Sequence, residues 1–410
     1  MILTARALLI DAQTLIEGGA LWVERGRVRR VLRSRAAARR FSRRATIDLG
    51  DALLTPGLVD AHAHLELGAL AGRLGGSRGF VSWIQALIRA RARLTPRDLE
   101  LGVRRGARVL LAGGTTTVGD IDSSGATGRL ARGLGLRVVV YRELLDAWDP
   151  ARTAVSLARV RRPIRSNALA REGLAPHAPY TTSRELLREA GRIAARRRLP
   201  IAIHWAETSA EGEWLATSRG PFAKILPSGP RTSGLDLLAE AGLLTPRTAL
   251  IHGNHPQSGE PAHLARQGVT IVHCPGTHAF FAREPFPVRR YLAAGVPVAL
   301  GTDSLASNEA LDMRREMALF RRSFPALSPR VAFQGSTEHA ARALGRDDLG
   351  HLRPGAAADV AAFRVSARGA ARALDELSSA IPEVQAVFVA GQPVRESRFR
   401  PRFGRESAVH

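Results

Sequence analysis

Histidine and acidic residues in this sequence stand at the ends of short apolar segments. The first are His62 and His64, which close the run that begins at Gly57. Side chains alternate along a strand, so both imidazoles are expected on the same side. Two neighbouring imidazole nitrogens can share a divalent metal ion, although a lone histidine is more often structural.

Two further apolar segments end in residues that prefer the same kind of metal. His204 closes the run from Ile201 and offers a third nitrogen, and Asp303 follows the run from Val298. A buried carboxylate without a partner is costly, and a metal ion would compensate it. The predicted ligand set is therefore His62, His64, His204 and Asp303. Three neutral nitrogens and one anionic oxygen suit Zn²⁺, the favoured metal, or Fe²⁺, with one position left for water.

Glu207 and His252 are predicted to be catalytic together with Asp303. Glu207 lies three residues after His204 and would face away from it in a continuous strand. It reaches the same cavity only where the chain turns, which suits a proton carrier; the alternative is a surface carboxylate that caps the next helix. His252 ends another apolar run, which begins at Ala249.

These side chains need a scaffold that gathers distant segments, and the sequence has a suitable rhythm. Short apolar runs alternate with amphipathic stretches such as Ser183–Arg198, which is typical of βαβ units in a parallel sheet. Eight repeats between residues 57 and 350 match a (β/α)₈ TIM barrel, whose catalytic residues follow the carboxyl ends of the strands. An open doubly wound sheet is the alternative, but its Gly-rich fingerprint is missing after the first run. The predicted strands are Gly57–Leu65, Thr115–Ile121, Arg137–Leu144, Gly173–Pro179, Pro200–Thr208, Thr248–His255, Gly268–Thr277 and Pro297–Ser304.

The two ends of the chain have a different pattern. Short runs at Leu8–Ile16, Ala20–Val23 and Val28–Leu32 are separated by Gly-containing turns, and the tail offers Asp359–Phe363 and Val384–Val389. Residues 1–56 and 351–410 are therefore expected to pair into one small composite β-sandwich domain beside the barrel.

Composition limits the class of protein. The 410 residues carry a formal net charge of +23, which by itself suggests a nucleic-acid partner. Lys224 is the single lysine, so we attribute the charge to the arginine-rich codons of a GC-rich genome, and we expect no nucleic-acid or membrane partner. The single cysteine, Cys274, excludes an intrachain disulfide and is expected to be a small buried residue. No apolar run is long enough to span a bilayer and no signal peptide is evident, so a cytoplasmic location is expected.

The arrangement of His62-x-His64, His204, His252 and Asp303 resembles the amidohydrolase superfamily. The segment from Pro56 to Asp60 before the first pair, and Leu352-x-Pro354-Gly355 with Asp359 near the end, fit the same resemblance, which covers nearly the whole chain. The resemblance implies a metal-dependent hydrolase. Lys224 lies after the fifth predicted strand and cannot act as the bridging lysine of two-metal relatives, so one metal is expected; Glu143 is a less favoured bridge to a second.

Within that superfamily, three motifs are similar to the deaminase and triazine chlorohydrolase branch. They are His204-x-x-Glu207-Thr208, Gly301–Ser304 and Ala175–Tyr180. The resemblance implies attack of an activated water on a ring carbon that bears an amino group. Glu207 would protonate the ring nitrogen, Asp303 would pass a proton to the leaving amine, and His252 would orient the water.

The substrate is the least determined part of the resemblance. The segments Cys274–Phe281 and Ser304–Glu309 resemble aminodeoxyfutalosine deaminases of menaquinone biosynthesis, the leading hypothesis. Adenosine, S-adenosylhomocysteine and methylthioadenosine come next, followed by guanine, pterin and triazine substrates. A homodimer is also expected. The predicted substrate-binding residues are Trp83, His177, Ser307, Arg142 and Phe281, with Arg283 and Phe280 as further candidates.

Overall fold

The centre of the molecule is a parallel barrel. A computed structural model describes residues 1–34, 36–37, 45–75, 79–161, 163–164 and 166–394. Eight consecutive strands pair in sequence order, all in parallel. They are β8 (Leu58–Ala63), β9 (Thr115–Asp122), β10 (Arg137–Leu144), β11 (Ala170–Pro176), β12 (Ile201–Trp205), β13 (Thr248–His252), β14 (Thr270–His273) and β15 (Val298–Leu300).

The first and last barrel strands meet beside the predicted metal ligands. Ala63 and Asp303 form an isolated parallel bridge, the Asp303 amide donates to the His62 carbonyl at 2.9 Å, and the His64 amide donates to the Asp303 carbonyl at 2.9 Å. The sheet is thus nearly closed, which confirms the barrel and excludes the open doubly wound alternative.

Alternation along the strands divides the apolar residues between two cores. Val139 and Tyr141 point into the barrel, while Val138 and Val140 pack outward. Tyr141 fills the interior so completely that a Cβ on Gly173 would lie 2.5 Å from its ring. Only glycine therefore fits at that position, and the lower part of the barrel is solid.

Helices follow most barrel strands and begin at capping residues. Thr95 and Asp98 form a reciprocal capping box, and Ser183 accepts from the Leu186 amide. The predicted amphipathic stretch Ser183–Arg198 is a helix over Arg184–Arg197. The α-helices are Phe80–Arg91, Pro96–Ala112, Ala126–Leu130, Pro150–Arg161, Arg184–Arg197, Ser209–Thr217, Gly234–Glu240, Glu260–Gln267, Pro275–Phe280, Val288–Ala294, Met313–Ser323, Pro329–Gly335, Glu338–Ala343 and Ala370–Ser379, and the 3₁₀ turns are Leu65–Leu70, Ala131–Gly133 and Pro221–Lys224.

Both ends of the chain contribute to a separate pair of sheets, as predicted. The strands are β1 (Ile2–Thr4), β2 (Ala7–Leu9), β3 (Leu15–Glu17), β4 (Ala20–Glu24), β5 (Arg27–Leu32), β6 (Thr46–Asp48), β7 (Leu53–Pro56), β16 (Val360–Phe363), β17 (Val384–Val389) and β18 (Gln392–Pro393). One sheet has the order β5-β4-β1-β6, and the other has the order β18-β17-β16-β7-β2-β3 and joins strands from both termini. Residues 395–410 of the predicted C-terminal part lie outside the described residues.

One run of the predicted N-terminal part is not continuous. The run Leu8–Ile16 folds back as the hairpin of β2 and β3, in which Leu8 pairs with Ile16. The carboxylate of Asp11 accepts from the amides of Gln13 and Thr14 at 3.0 and 2.9 Å. This side chain competes with the strand ladder and reverses the chain. Among the described residues, no helix has both the length and the apolar character to cross a bilayer.

Candidate active site

The predicted metal ligands converge at the carboxyl ends of the first, fifth and eighth barrel strands. His62 lies on β8 and His64 follows it, His204 lies on β12, and Asp303 follows β15. A Cβ on Gly301 would lie 2.9 Å from the His62 carbonyl. Glycine therefore lets the last strand approach the first histidine pair closely, which brings Asp303 next to it.

The distances between these side chains fit a metal centre. His64 Nε2 lies 3.3 Å from His204 Nε2, and Oδ1 of Asp303 lies 3.7 Å from Nε2 of both His62 and His64. Two nitrogens bound tetrahedrally to one zinc ion at about 2.0–2.1 Å lie about 3.4 Å apart. Two overlapping groups, His62–His204–His252 and His62–His64–Asp303, have ligand atoms within 4.8 Å of one another.

The protonation states also suit a cation. Burial lowers the pKa of His64 to about 3 and that of His204 well below its ordinary value, so both are neutral. Burial by itself would raise the pKa of Asp303, but the imidazole of His62 and the other nearby histidines outweigh it and hold that pKa well below its usual range. Neutral imidazoles and an ionised carboxylate are the forms that bind metals.

The hydrogen bonds of the histidines also favour a metal site. His204 donates from Nδ1 to the His177 carbonyl at 3.0 Å, which leaves the lone pair of Nε2 facing His64. Both ring nitrogens of His62 are buried, and neither has a partner among the described residues. A buried polar atom without a partner is costly, and a metal ion at this point would satisfy one of them.

A second layer of polar groups supports the ligands. Asp60 accepts from the amides of His62 and Thr302 at 3.1 and 3.0 Å and from the Thr302 hydroxyl at 2.6 Å. Ser307 donates to Oδ2 of Asp303 at 3.2 Å and is only 1% exposed. These contacts tie the first strand to the last and fix the Asp303 carboxylate.

Glu207 reaches the same cavity because the chain turns after β12, as predicted. Ala206 has a φ of 49°, in the left-handed region. The buried carboxylate of Glu211 accepts from the amides of Ala206 and Glu207 at 3.1 and 2.9 Å. Asn254 donates to the Glu207 carbonyl at 3.0 Å. The backbone of Glu207 is thus held from two sides, and its side chain points toward the site.

An arginine that the sequence did not connect to Glu207 binds its carboxylate. Arg283 Nη2 donates to Oε1 of Glu207 at 2.6 Å, with the two side chains 9% and 7% exposed. Oε1 also lies 3.6 Å from Nε2 of His252. Burial raises the pKa of Glu207, and Arg283 opposes that shift. The sequence marked Arg283 only as a candidate for binding a substrate carboxylate.

A cavity of about 400 Å³ opens above these residues. His64, His204, Glu207, His252 and Asp303 form its polar floor. Aromatic rings form one wall, with Phe80 stacked on Trp83 at 6.0 Å and Phe281 set edge-on to Trp83 at 5.1 Å. A polar floor beneath an apolar wall suits a flat heteroaromatic ligand.

The structure brings three of the five predicted substrate-binding residues to this cavity. They are Trp83, His177 and Phe281. The predicted substrate-binding role of Arg142 is wrong. Arg142 lies on the outward face of β10, as Val138 and Val140 do, and its side chain contacts Glu172. The role predicted for Ser307 is also wrong, since Ser307 lies behind Asp303 and does not line the cavity.

Two other histidines, the cysteine and Glu143 do not line this cavity. His255 lines a separate cavity of about 210 Å³, and His273 stacks on Phe286 at 4.0 Å. Cys274 is buried, as expected, just after β14, and burial raises the pKa of its thiol well above the usual value. Glu143 belongs to neither of the two ligand groups found in the described part of the chain.

Sequence reasoning missed several wall residues. Tyr180 and Phe222 line the cavity with their rings 4.6 Å apart, and Phe80 stacks on Trp83. Tyr180 belongs to the motif Ala175–Tyr180, and Phe80 lies three residues before the predicted Trp83, so both had a usable signal in the sequence. Phe222 lies in a short 3₁₀ turn with no pattern to mark it.

Comparison with known proteins decides the family. The model of the Amidohydrolase family matches residues 53–394. The chain belongs to the amidohydrolase family. A curated relative, the 5-methylthioadenosine/S-adenosylhomocysteine deaminase of Nitratidesulfovibrio vulgaris, is 33% identical over 371 residues, which cover 87% of this chain and 81% of the relative. This amidohydrolase is accordingly a hydrolase with deaminases among its relatives.

Solved structures share the fold of this amidohydrolase. An adenosine deaminase from Xanthomonas campestris with bound zinc has a TM-score of 0.80 and 26% identity, covering 96% of this chain and 92% of that one. Helicobacter pylori aminofutalosine deaminase in complex with methylthio-coformycin has a TM-score of 0.85 and 19% identity, covering 96% and 100% of the two chains. At that identity the second comparison supports the fold alone.

Proposed function

We propose that the protein is a hydrolytic deaminase of adenine nucleosides, in which water replaces the ring amino group and ammonia leaves. One observation carries the proposal: a metal-type ligand cluster, the carboxylate of Glu207 and an aromatic wall meet in a single cavity. The relatives named above supply the substrate class. Fold similarity by itself would not.

The residues that would hold the metal are His62, His64, His204 and Asp303, and zinc is the proposed ion. A divalent metal in such a site lowers the pKa of a bound water from about 15.7 toward roughly 7. The chain's own contribution is a fixed donor set, because Asp60 and Ser307 brace the first and last strands.

Glu207 is the proposed proton carrier to the ring nitrogen. Its Oε1 is occupied by Arg283, whereas Oε2 has no hydrogen bond to any described residue, and the side chain lines the cavity. Asp303, which also lines the cavity, would accept a proton from the water and return it to the departing amine. General acid–base transfer of this kind contributes typically about 10²–10⁴-fold.

The walls favour an apolar substituent on the ribose. Ile88, Leu145 and Ile225 line the cavity and are 62%, 42% and 36% exposed. Exposed apolar side chains grouped at one mouth mark a binding surface. A 5′-alkylthio tail, as in methylthioadenosine, fits such a mouth.

Aminodeoxyfutalosine, the leading hypothesis from the sequence, stays a second candidate. Its carboxyphenyl tail needs a cation, but Arg142 faces away from the cavity and Arg283 is bound to Glu207. Arg152 lines the cavity, and its ion pair with Asp149 at 3.1 Å is exposed to solvent, so this guanidinium can turn to such a tail at little cost.

The test is ammonia release by purified, metal-assayed protein. The panel contains methylthioadenosine, adenosine, 5′-deoxyadenosine, S-adenosylhomocysteine and aminodeoxyfutalosine, with guanine and a melamine-type triazine as other ring classes. We expect the highest kcat/KM for methylthioadenosine and stoichiometric zinc. Higher activity on the triazine or guanine than on every nucleoside would overturn the nucleoside assignment.

An Arg152→Met variant separates the two tails. If methylthioadenosine is the substrate, its kcat/KM stays within about twofold, because the tail makes no ionic contact. If the carboxyphenyl nucleoside is preferred, Arg152→Met lowers its kcat/KM by about tenfold, the effect of losing one charge-assisted contact of about 1.4 kcal/mol.

A further inference from the structure

Arg283 is the most completely engaged arginine near the cavity. Its guanidinium donates to Glu207 at 2.6 Å. It also lies over the rings of Phe281 and Phe80, with its central carbon 4.7 and 5.3 Å from the two centroids. Only 9% of its side chain is exposed. These contacts fix the guanidinium both at its end and on its faces.

The two carboxylate oxygens of Glu207 have different surroundings. Arg283 holds Oε1 of Glu207, and His252 Nε2 lies 3.6 Å from the same atom. Oε2 has no hydrogen-bond partner in the described part of the chain. The carboxylate is thus fixed at one oxygen and available at the other.

The aromatic contacts extend this arrangement to the substrate wall. Phe80 and Phe281 line the cavity, and the guanidinium of Arg283 packs against the faces of both rings. A cation over an aromatic face is held by about 0.5–2 kcal/mol, more when water is excluded. The same two rings that would receive a heteroaromatic ligand therefore also position the group that holds Glu207.

We propose that Arg283 is a positioning residue, which orients Glu207 so that Oε2 faces the reacting ring and which couples that orientation to the aromatic wall. The inference rests on the proposed deaminase function. It assigns Arg283 no contact with substrate, in contrast to the carboxylate-binding role that the sequence suggested.

The kinetic test is a double-mutant cycle with the preferred nucleoside of the panel. Arg283→Met should lower kcat by about 10–10³-fold with KM changed less than about threefold, and Arg283→Lys should recover part of the loss. In the Glu207→Gln background, Arg283→Met should cost less than about threefold, since the residue through which it acts is already disabled.

Arg314→Met is the matched control. Arg314 forms a comparable ion pair with Asp312 at 2.6 Å but does not line the cavity, so kcat should stay within about twofold. A rise in KM with unchanged kcat for Arg283→Met would show a substrate-binding residue and overturn the inference. So would an equal loss of kcat in both backgrounds.

Thermal unfolding gives a second measurement that needs no substrate. Removing Arg283 alone leaves a buried carboxylate without its partner, which is strongly destabilising. The double variant Arg283→Met/Glu207→Gln should therefore have a higher Tm than Arg283→Met. If the decreases in Tm of the two single variants instead add up in the double variant, the two side chains are not coupled and the inference is contradicted. If wild-type protein is inert on every nucleoside while this coupling is present, the proposed function fails and the contact between Arg283 and Glu207 stands.

Discussion

The two ends of the barrel interior differ in polarity and in packing. At the carboxyl ends of the strands, His204, Glu207 and Asp303 place buried polar groups around one cavity. Deeper in the same barrel, Tyr141 packs against Leu344 in an apolar cluster that leaves no room for a ligand. The same strands supply both regions, so the difference arises from the last residues of each strand.

The catalytic end carries backbone strain that the apolar end lacks. Ala206, His252 and Asp303 all have positive φ, at 49°, 74° and 58°. A non-glycine residue in that region costs roughly 1–3 kcal/mol. The apolar cluster offsets such costs, and so the two ends should respond differently to mutation: one through turnover, the other through stability.

The largest expected effect at the catalytic end comes from Glu207→Gln. The amide can still accept from Arg283, but it cannot carry a proton. We expect kcat to fall by about 10²–10⁴-fold, the usual contribution of a general acid–base group. Zinc content, measured by metal analysis, should stay close to that of the wild type. Tm, measured by calorimetry, should fall less than in Arg283→Met, because the amide oxygen still accepts from the Arg283 cation.

Glu185→Gln makes the same chemical change at an exposed position in the helix Arg184–Arg197 and should leave kcat unaltered. Full activity in the Glu207→Gln variant would remove Glu207 from the mechanism. Loss of zinc in that variant would instead assign the residue to the metal.

The sequence was sufficient to predict that His62, His64, His204 and Asp303 lie at the same end of the barrel, because each stands at the end of an apolar run. Strand periodicity is a local property, so His204 and Asp303 could be placed at one end of a barrel without any tertiary information. The turn after β12, which brings Glu207 inward, was one of two alternatives that the spacing between His204 and Glu207 left open.

The misplaced residues depend on packing between distant segments. Arg142 was wrong, although its alternation with Val138 and Val140 carried the signal that it faces outward. The contact between Arg283 and Glu207 joins residues 76 positions apart through a loop. This contact does not depend on the periodicity of a strand or helix, so no local sequence pattern could have predicted it.

An intermediate effect is expected from Ser307→Ala, which removes the hydrogen bond to Oδ2 of Asp303. Residues that orient a ligand typically contribute about 10–100-fold to metal affinity or activity. We expect zinc affinity, measured by competition with a chelator, to fall by that factor while kcat of the zinc-loaded variant changes less than about fivefold. A rise in KM with unchanged zinc affinity would return Ser307 to the role of a substrate-binding residue.

The smallest effect is expected from Tyr141→Phe at the apolar end. The hydroxyl of Tyr141 donates to the Ala343 carbonyl at 3.3 Å in a fully buried position. Loss of one such bond costs about 0.5–1.5 kcal/mol of unfolding free energy, measurable by urea denaturation, and kcat should not change. A tenfold loss of kcat with intact zinc would mean that the barrel interior transmits strain to the ligands, and the division between a stabilising end and a reactive end would then be wrong.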